Sequence, residues 1–569
     1  MEKYVKTSRL FFLCGYFFIS LFAIILLLTS LSFFCHISLS YWHFPLSVLL
    51  AFSLNYFSGY HLFKDRTLFF KSLAIIVAVM ITSITIAVLV YDVSYDGQAY
   101  HQETLIQLKN GWNPYFDLLP TTVNQALYIN HYSKGAEISE AAIYLFLNKI
   151  ESGKALNIML LFAAFSLTFS LLLQIIKLPI LKIILISLFL SLNPIVVNQL
   201  LTYYVDGQLG SILQCMLVSS LFIIIYPTRY YFLLFAFTVI VLVNTKFTSV
   251  VYAVLLLFCF IGWIFFNRRH LLYKIIIVSA ISGIIGVVLV GFNPYVKNLY
   301  GFGHPFYPVM GKNKADILTY NFPATFINKN TFEKFYISLF AHTGNPTSTN
   351  GKEVKLKIPF TFNKEDIISA SKIDARIAGF GPLFSGILVV SFLLLCVLLF
   401  FYQFNRIIKN TLFLSGILLI SSLVNPESWW ARYIPQFWYI PIIILLAGEL
   451  MPTKYNKVFK GILYLSLAVN IGFTFIGIGW NIFMTGLINY QMDKLKYSEE
   501  IVTVEWGSAK SNRIRFEEKG VPYLERKLDG LKIENVIRSD SRFIVPEKSK
   551  NVTKPPILIW AQKFIPEGK

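Results

Sequence analysis

Two aspartates four residues apart, Asp92 and Asp96, stand where an apolar run from Leu73 to Val90 ends. A carboxylate can act as a general base toward a hydroxyl held within hydrogen-bond reach. If the helix runs on for a turn, a spacing of four puts both acids on one face. His101 and Glu103 follow, and behind them comes an aromatic turn, Gly111 to Pro114, reading Gly-Trp-Asn-Pro. The bland alternative is a solvated loop with acidic helix caps.

Other ionisable residues also sit between apolar runs. Asp206 follows Tyr203, Tyr204 and Val205; Lys246 lies between Thr245 and Phe247; Glu427 and Arg432 bracket Ser428, Trp429, Trp430 and Ala431; His131 and Lys134 flank Tyr132 and Ser133. Each alone is explained by an ion pair or a snorkelling side chain. Ionisable groups at membrane depth are nevertheless expensive, and they tend to be paired or functional. The acids suggest a base. The cations suggest something anionic, because Lys and Arg hold a phosphate leaving group and neutralise the charge that develops on it.

The elements that must position these residues are membrane helices. Of 569 residues, 56% are hydrophobic, 17% aromatic and only 14% charged, which excludes a soluble globule. The net charge of +20 does not imply nucleic-acid binding, since a membrane protein concentrates its basic excess on cytoplasmic loops. The five cysteines show no metal-ligand or paired spacing, so neither a disulfide nor a structural metal is expected. Runs long enough to cross the hydrocarbon are expected near 10–34, 44–62, 72–91, 155–176, 180–200, 208–226, 230–245, 248–266, 273–291, 383–402, 411–424, 436–451 and 461–483, about thirteen helices. The runs at 230–245 and 411–424 are short enough to be tilted or broken.

Short connections on one side carry seventeen Lys and Arg residues, and those on the other carry Lys246 and Arg432. By the positive-inside rule the N-terminus is cytoplasmic and the C-terminus lies outside. Large outer segments then fall at 92–154, 293–382 and in the tail. Ile138 to Ile150 has amphipathic helical spacing and is expected along the membrane surface. Alternating segments at Ile501 to Trp506 and Lys532 to Ile537 suggest a small α+β unit. The expected divisions are two N-terminal helices (1–71), a transmembrane catalytic region (72–484) and an extracytoplasmic C-terminal region (485–569). No internal repeat supports an inverted-repeat transporter.

The Asp96 segment beyond an early helix, the Gly-Trp-Asn-Pro turn, the outer amphipathic segment and Lys246 within Thr-Lys-Phe-Thr together resemble the GT-C class of integral-membrane glycosyltransferases. So do Gly303-His304-Pro305-Phe306-Tyr307-Pro308 opening a large outer loop, and the late Ala431-Arg432-Tyr433 followed by Pro435. The resemblance covers roughly residues 70 to 450. It implies an all-α polytopic fold and transfer of a sugar from a polyprenyl-phosphate donor to a glycan or lipid-linked acceptor, at the outer face of a bacterial cytoplasmic membrane. Under it, Asp96 and Asp92 are the catalytic carboxylates and Lys246 and Arg432 hold the donor phosphate. His101, His131, Lys134, Asp206, Glu427 and His304 contact substrate. Asp92 and Asp96 either hold a divalent cation with the donor phosphate or leave Asp96 to work alone as base. A polymerase or ligase of lipid-linked glycans is a near neighbour, although such an enzyme is expected to use several outer arginines. A flippase or other transporter would place charges at mid-span, where this chain has almost none.

Overall fold

The computed structural model describes residues 2–562 except 313, 317–320, 348–352, 375, 530 and 531. Among the described residues, nine helices are long and apolar enough to cross a membrane: Tyr4–Phe34, Arg66–Leu89, Ile150–Ile175, Asp206–Ile225, Phe247–Asn267, Arg269–Val290, Phe384–Tyr402, Arg406–Leu423 and Asn456–Tyr497. The count of thirteen is therefore not reproduced by length and apolarity. Three of the expected runs form shorter apolar helices, Ile180–Ser191, Arg229–Thr245 and Pro435–Leu450, and His43–Phe63 is long but less apolar. The run expected at 180–200 breaks because Asn193 turns its side chain to the amide of Ile195 while Pro194 opens a separate short helix, Pro194–Asn198. A proline cannot continue the preceding helix and disfavours helical backbone in the residue before it.

The first helix is the hub of the bundle. From Phe12 to Leu26 nearly every apolar side chain is buried, because this helix packs against Ala155–Ile175, His43–Phe63, Arg66–Leu89 and Arg229–Thr245 together. A second core gathers Phe384, Ile387, Leu394, Trp438, Leu445 and Leu467 from the later helices. The expectation that the amphipathic segment after Ile138 lies on the membrane surface is not met. It forms the helix Gly135–Leu147, whose residues from Gly135 to Tyr144 are all buried, under the first helix and against Gln102–Lys109.

The final long helix, Asn456–Tyr497, has 42 residues, about 63 Å at 1.5 Å per residue and twice the thickness of a hydrocarbon core. Its C-terminal end becomes the floor of a small C-terminal unit, where Ile488, Met492 and Leu495 pack with Val502, Val504, Trp506, Phe516 and Phe543. That unit is the α+β region the alternating segments suggested. Its strands are β1 (Val502–Glu505), β2 (Tyr523–Glu525), β3 (Ile533–Asn535) and β4 (Arg542–Ile544), in the order β2-β1-β4-β3. β1 pairs parallel with β2 and antiparallel with β4, which pairs antiparallel with β3. The parallel pair is bridged by the helix Asn512–Lys519.

Candidate active site

The helix Arg66–Leu89 ends before the aspartates, and Val90 is already extended. Asp92 and Asp96 consequently do not share a helix face. Asp92 folds into its own turn, its Oδ1 accepting the Ser94 amide at 2.8 Å. Gly97 allows that turn to close, since a Cβ there would run into the Asp92 carboxylate and the Ser94 hydroxyl. Helix then resumes as a π-helical turn, Gly97–His101, with Asp96 at its N-terminal end.

Asp96 joins, through Arg432, a cluster drawn from other parts of the chain. Arg432 Nη1 donates to Asp96 Oδ2 at 3.3 Å and to Asp206 Oδ2 at 3.4 Å. Arg432 Nε lies 3.3 Å from Asp374 Oδ1, without the alignment of a hydrogen bond. Lys246 Nζ sits 2.5 Å from Asp206 Oδ1. The Arg432 guanidinium is caged by rings, 4.7 Å from Trp430, 4.9 Å from Tyr204 and 5.3 Å from Tyr433. Lys246 lies over Tyr433 at 4.3 Å, and Arg376 pairs with Asp374 at 2.7 Å while covering Trp430. Three carboxylates thus surround one arginine, with a second cation on either flank.

Local structure explains each position. Asp206 is the first residue of its helix, where the unpaired amides and the macrodipole favour an anion, and Gln199 steadies both it and the following amide. Lys246 occupies an extended residue that separates Arg229–Thr245 from Phe247–Asn267. Arg432 lies in a single 3-10 turn, Ala431–Tyr433, whose Ala431 amide donates to the Arg376 carbonyl. That hydrogen bond draws the segment around Asp374 alongside, and Trp430 Nε1 fixes the Asp374 carboxylate at 3.1 Å.

Burial works against the charge on both cations. It pulls the Lys246 amine below its ordinary range, with Asp206 opposing, whereas at Arg432 the neighbouring Asp374 and Asp206 more than offset burial and hold the guanidinium firmly protonated. Burial also pushes the phenols of Tyr100, Tyr132, Tyr204 and Tyr433 upward, so the cage is neutral and able to donate hydrogen bonds at ordinary pH. Within the cluster the openings are uneven. The Asp206 side chain is 1% exposed, while Asp96 and Asp374 are 21% and 23% exposed.

The remaining sequence candidates take up other positions. Asp92 is fully buried: its Oδ2 accepts the Tyr203 amide at 2.9 Å, its own amide donates to Glu151 and its carbonyl accepts from Arg515. Burial, opposed by Lys154, pushes its carboxyl above the usual range. These contacts make Asp92 a clamp that ties the Asp96 segment to the Tyr203–Asp206 segment. His101 pairs with Glu137 at 2.7 Å. His131 joins Asn298 at 2.8 Å, stapling the segment at 92–154 to that at 293–382. Lys134 gives its amine to Asn293 Oδ1 and the Tyr132 carbonyl, both at 2.7 Å, and burial brings it down to about 7. His304 accepts the Phe306 amide within its own turn. Glu427 is not the partner of Arg432; its Oε2 accepts from Trp429 Nε1 at 2.5 Å. The divalent-cation alternative at Asp92 and Asp96 loses its geometry, because Asp92 is turned to backbone amides and no group of three or more His, Cys, Asp or Glu side chains is placed to hold a metal among the described residues.

Asp374 and the aromatic cage escaped the sequence reading. Asp374 lies in a hydrophilic loop among Lys364, Glu365, Asp366 and Lys372, where another acid carries no signal. The run Trp429, Trp430, Arg432, Tyr433 did carry one, since aromatic faces beside an arginine form cation–π cages. No protein-family model matches the chain, and no match is found among curated proteins or solved structures.

Proposed function

We propose that this chain is a membrane glycosyltransferase of GT-C type, which moves a sugar from a polyprenyl-phosphate donor to a glycan or lipid-linked acceptor at the outer face of the bacterial cytoplasmic membrane. The observation that carries the reading is Arg432, a caged guanidinium shared among Asp96, Asp206 and Asp374 with Lys246 beside it. A guanidinium carries five N–H donors and can satisfy several acceptors at once. Here one of the three contacts is not a hydrogen bond, and two of the three acids keep an exposed edge.

In this reading the donor phosphate enters between Arg432 and Lys246 and competes with Asp96 for the guanidinium. A planar two-pronged donor suits a phosphate better than a point charge does. Asp96, released from its cationic partner, becomes the stronger base at the moment the donor is in place. It takes the proton of the acceptor hydroxyl, the acceptor oxygen bonds to the anomeric carbon, and the carbon–oxygen bond to phosphate breaks with inversion. The leaving phosphate carries the electron pair, and Arg432 and Lys246 neutralise it. Asp206, sealed at a helix N-terminus, keeps Lys246 in place.

Membrane orientation is part of the proposal. The helix Tyr439–Leu450 begins near Arg432 and ends near Glu449, which pairs with Lys182 at 2.6 Å and Lys460 at 3.5 Å. Those two lysines belong to the basic set of loops, which by the positive-inside rule supports an outward-facing Arg432 cluster. The reading is tested by incubating purified protein in lipid with polyprenyl-phosphate sugars and a glycan acceptor, beside mass spectrometry of envelope glycans after gene deletion. Unchanged glycans together with no turnover of any such donor would sink it.

A further inference from the structure

The C-terminal unit does more than cap the last helix. The turn between β3 and β4 reaches the outer side of the Asp96 segment, where Gln98 Nε2 donates to the Arg538 carbonyl at 3.1 Å and Ser511 Oγ to the Gln98 carbonyl at 3.0 Å. Between the two lies a cavity of about 250 Å³, lined in part by Tyr95, Gln98, Ser508, Arg538, Ser539 and Asp540. It is smaller than the roughly 300–1,000 Å³ of sites that enclose a drug-sized ligand, a size for one ring and not for a chain.

Four features of this cavity point to a ligand. Gln98 is 2% exposed, and its Oε1 has no hydrogen-bond partner, an arrangement that native structures rarely leave unexplained. Arg538 holds a left-handed backbone at φ 58°, a strained conformation for a residue with a side chain and one that clusters at functional sites. Its guanidinium rests over Trp480 at 5.1 Å and makes no ion pair among the described residues. Tyr95, next in sequence to Asp96, is 64% exposed. The turn is also built to hold this shape: Gly507 at φ 58° leaves room for Asp540, whose Oδ2 accepts the Ser508 amide at 2.7 Å.

We propose that this cavity is a binding site for one neutral sugar ring, an acceptor subsite shared by the Asp96 segment and the C-terminal unit. An exposed aromatic ring beside a guanidinium, a carboxylate and hydroxyls suits a polyhydroxylated ring, whose hydroxyls each donate and accept and whose C–H face stacks on Tyr95. Asp540 beside Arg538 disfavours an anion such as a free phosphate. Only the word acceptor rests on the glycosyltransferase reading.

The test is saturation-transfer NMR on the full chain in lipid nanodiscs with free glucose, galactose and N-acetylglucosamine as probes. At least one hexose binds saturably, and Tyr95→Ala and Arg538→Gln each weaken that binding by about tenfold or more, through loss of the stacking face and of the charged donor. Tyr95 is exposed, so its variant remains informative even where Arg538→Gln fails to fold. Absence of saturable binding by all three sugars, equal binding by Tyr95→Ala, or displacement of the sugar by inorganic phosphate overturns the assignment. Sugar binding by the parent protein together with no turnover of any polyprenyl-phosphate sugar counts against the glycosyltransferase reading and leaves this site standing. Transfer without hexose binding does the reverse.

Discussion

Asp92 and Asp96 are separated by three residues, yet they enter two charge clusters of opposite character. Around Asp92 the charges are sealed and satisfied. Glu151 pairs with Lys154 at 2.5 Å and with Arg515 at 3.0 Å, and the side chains of all three are at most 3% exposed. Arg515 also donates to the Asp92 carbonyl and to Asn512, and its guanidinium covers Tyr91. Around Asp96 the same residue types are left partly open, with two acids at more than a fifth exposure and one arginine contact unaligned. A sealed network gains from every partner it has and nothing from a newcomer. An open one leaves room for a ligand to replace a partner, and that difference, not the presence of charge, separates an anchor from a site.

The sharpest way to break this contrast is to remove one partner from the sealed network. Arg515→Leu takes one of its two cations from Glu151, which keeps Lys154, and takes the guanidinium donor from the buried Asp92 carbonyl, for which about 3 kcal/mol of lost stability is expected. The measurement is thermal unfolding in lipid, with transfer per folded molecule little changed. A stable Arg515→Leu protein with no transfer would reverse the roles assigned to the two clusters.

Asp96→Asn is expected to do the opposite. The change is nearly isosteric but removes the basic oxygen, so transfer should fall about 100-fold or more while the unfolding temperature stays close to that of the parent. Asp92→Asn should lower stability more than it lowers transfer, because its carboxylate accepts the Ser94 and Tyr203 amides. Near-normal kcat in purified Asp96→Asn protein excludes Asp96 as the base.

Arg432→Lys sharpens the phosphate assignment. A lysine keeps the charge but cannot span three carboxylates or grip a phosphate with two prongs, so donor affinity should drop about tenfold or more, a cost near 1.4 kcal/mol. If Arg432 serves stability alone, Arg432→Lys should lower the unfolding temperature while donor affinity per folded molecule stays at the parent value. Lost donor affinity at an unchanged unfolding temperature supports the phosphate assignment.

Away from both clusters, a pH dependence is expected at Lys134, whose amine burial lowers to about 7. An unfolded chain keeps this lysine protonated to about 10.4, so between pH 7 and 10 the unfolded state binds more protons and stability must rise with pH. Compared with Lys134→Met, the parent should gain up to about 1.4 kcal/mol per pH unit across that window, read as a difference in unfolding temperature. A flat difference means that the amine stays charged on its three oxygen acceptors.

Hydropathy alone determined the polytopic helical architecture, because a span must satisfy its backbone internally and bury itself in apolar surroundings; the alternating segments of the tail likewise foretold β1 and β3. Local chemistry settled the break at Asn193-Pro194 and the close turn at Asp92-Gly97 only after the backbone was seen, although the residues that make them are plain in the sequence. Charge bias placed Asp96, Asp206, Lys246 and Arg432 at the same ends of their helices, but it could not say which of them touch. Ile138 carries the same periodicity whether its helix lies on a membrane or under the first helix, since amphipathic spacing reports a buried stripe and not what covers it. Nor did the spacing of Asp92 and Asp96 reveal that the chain leaves the helix between them. Asp374, far along the chain in a polar loop, became a partner of Arg432 only through the backbone hydrogen bond from Ala431 to Arg376. Ion pairs between distant segments depend on which loops fold side by side, a long-range property that no local pattern of residue types contains.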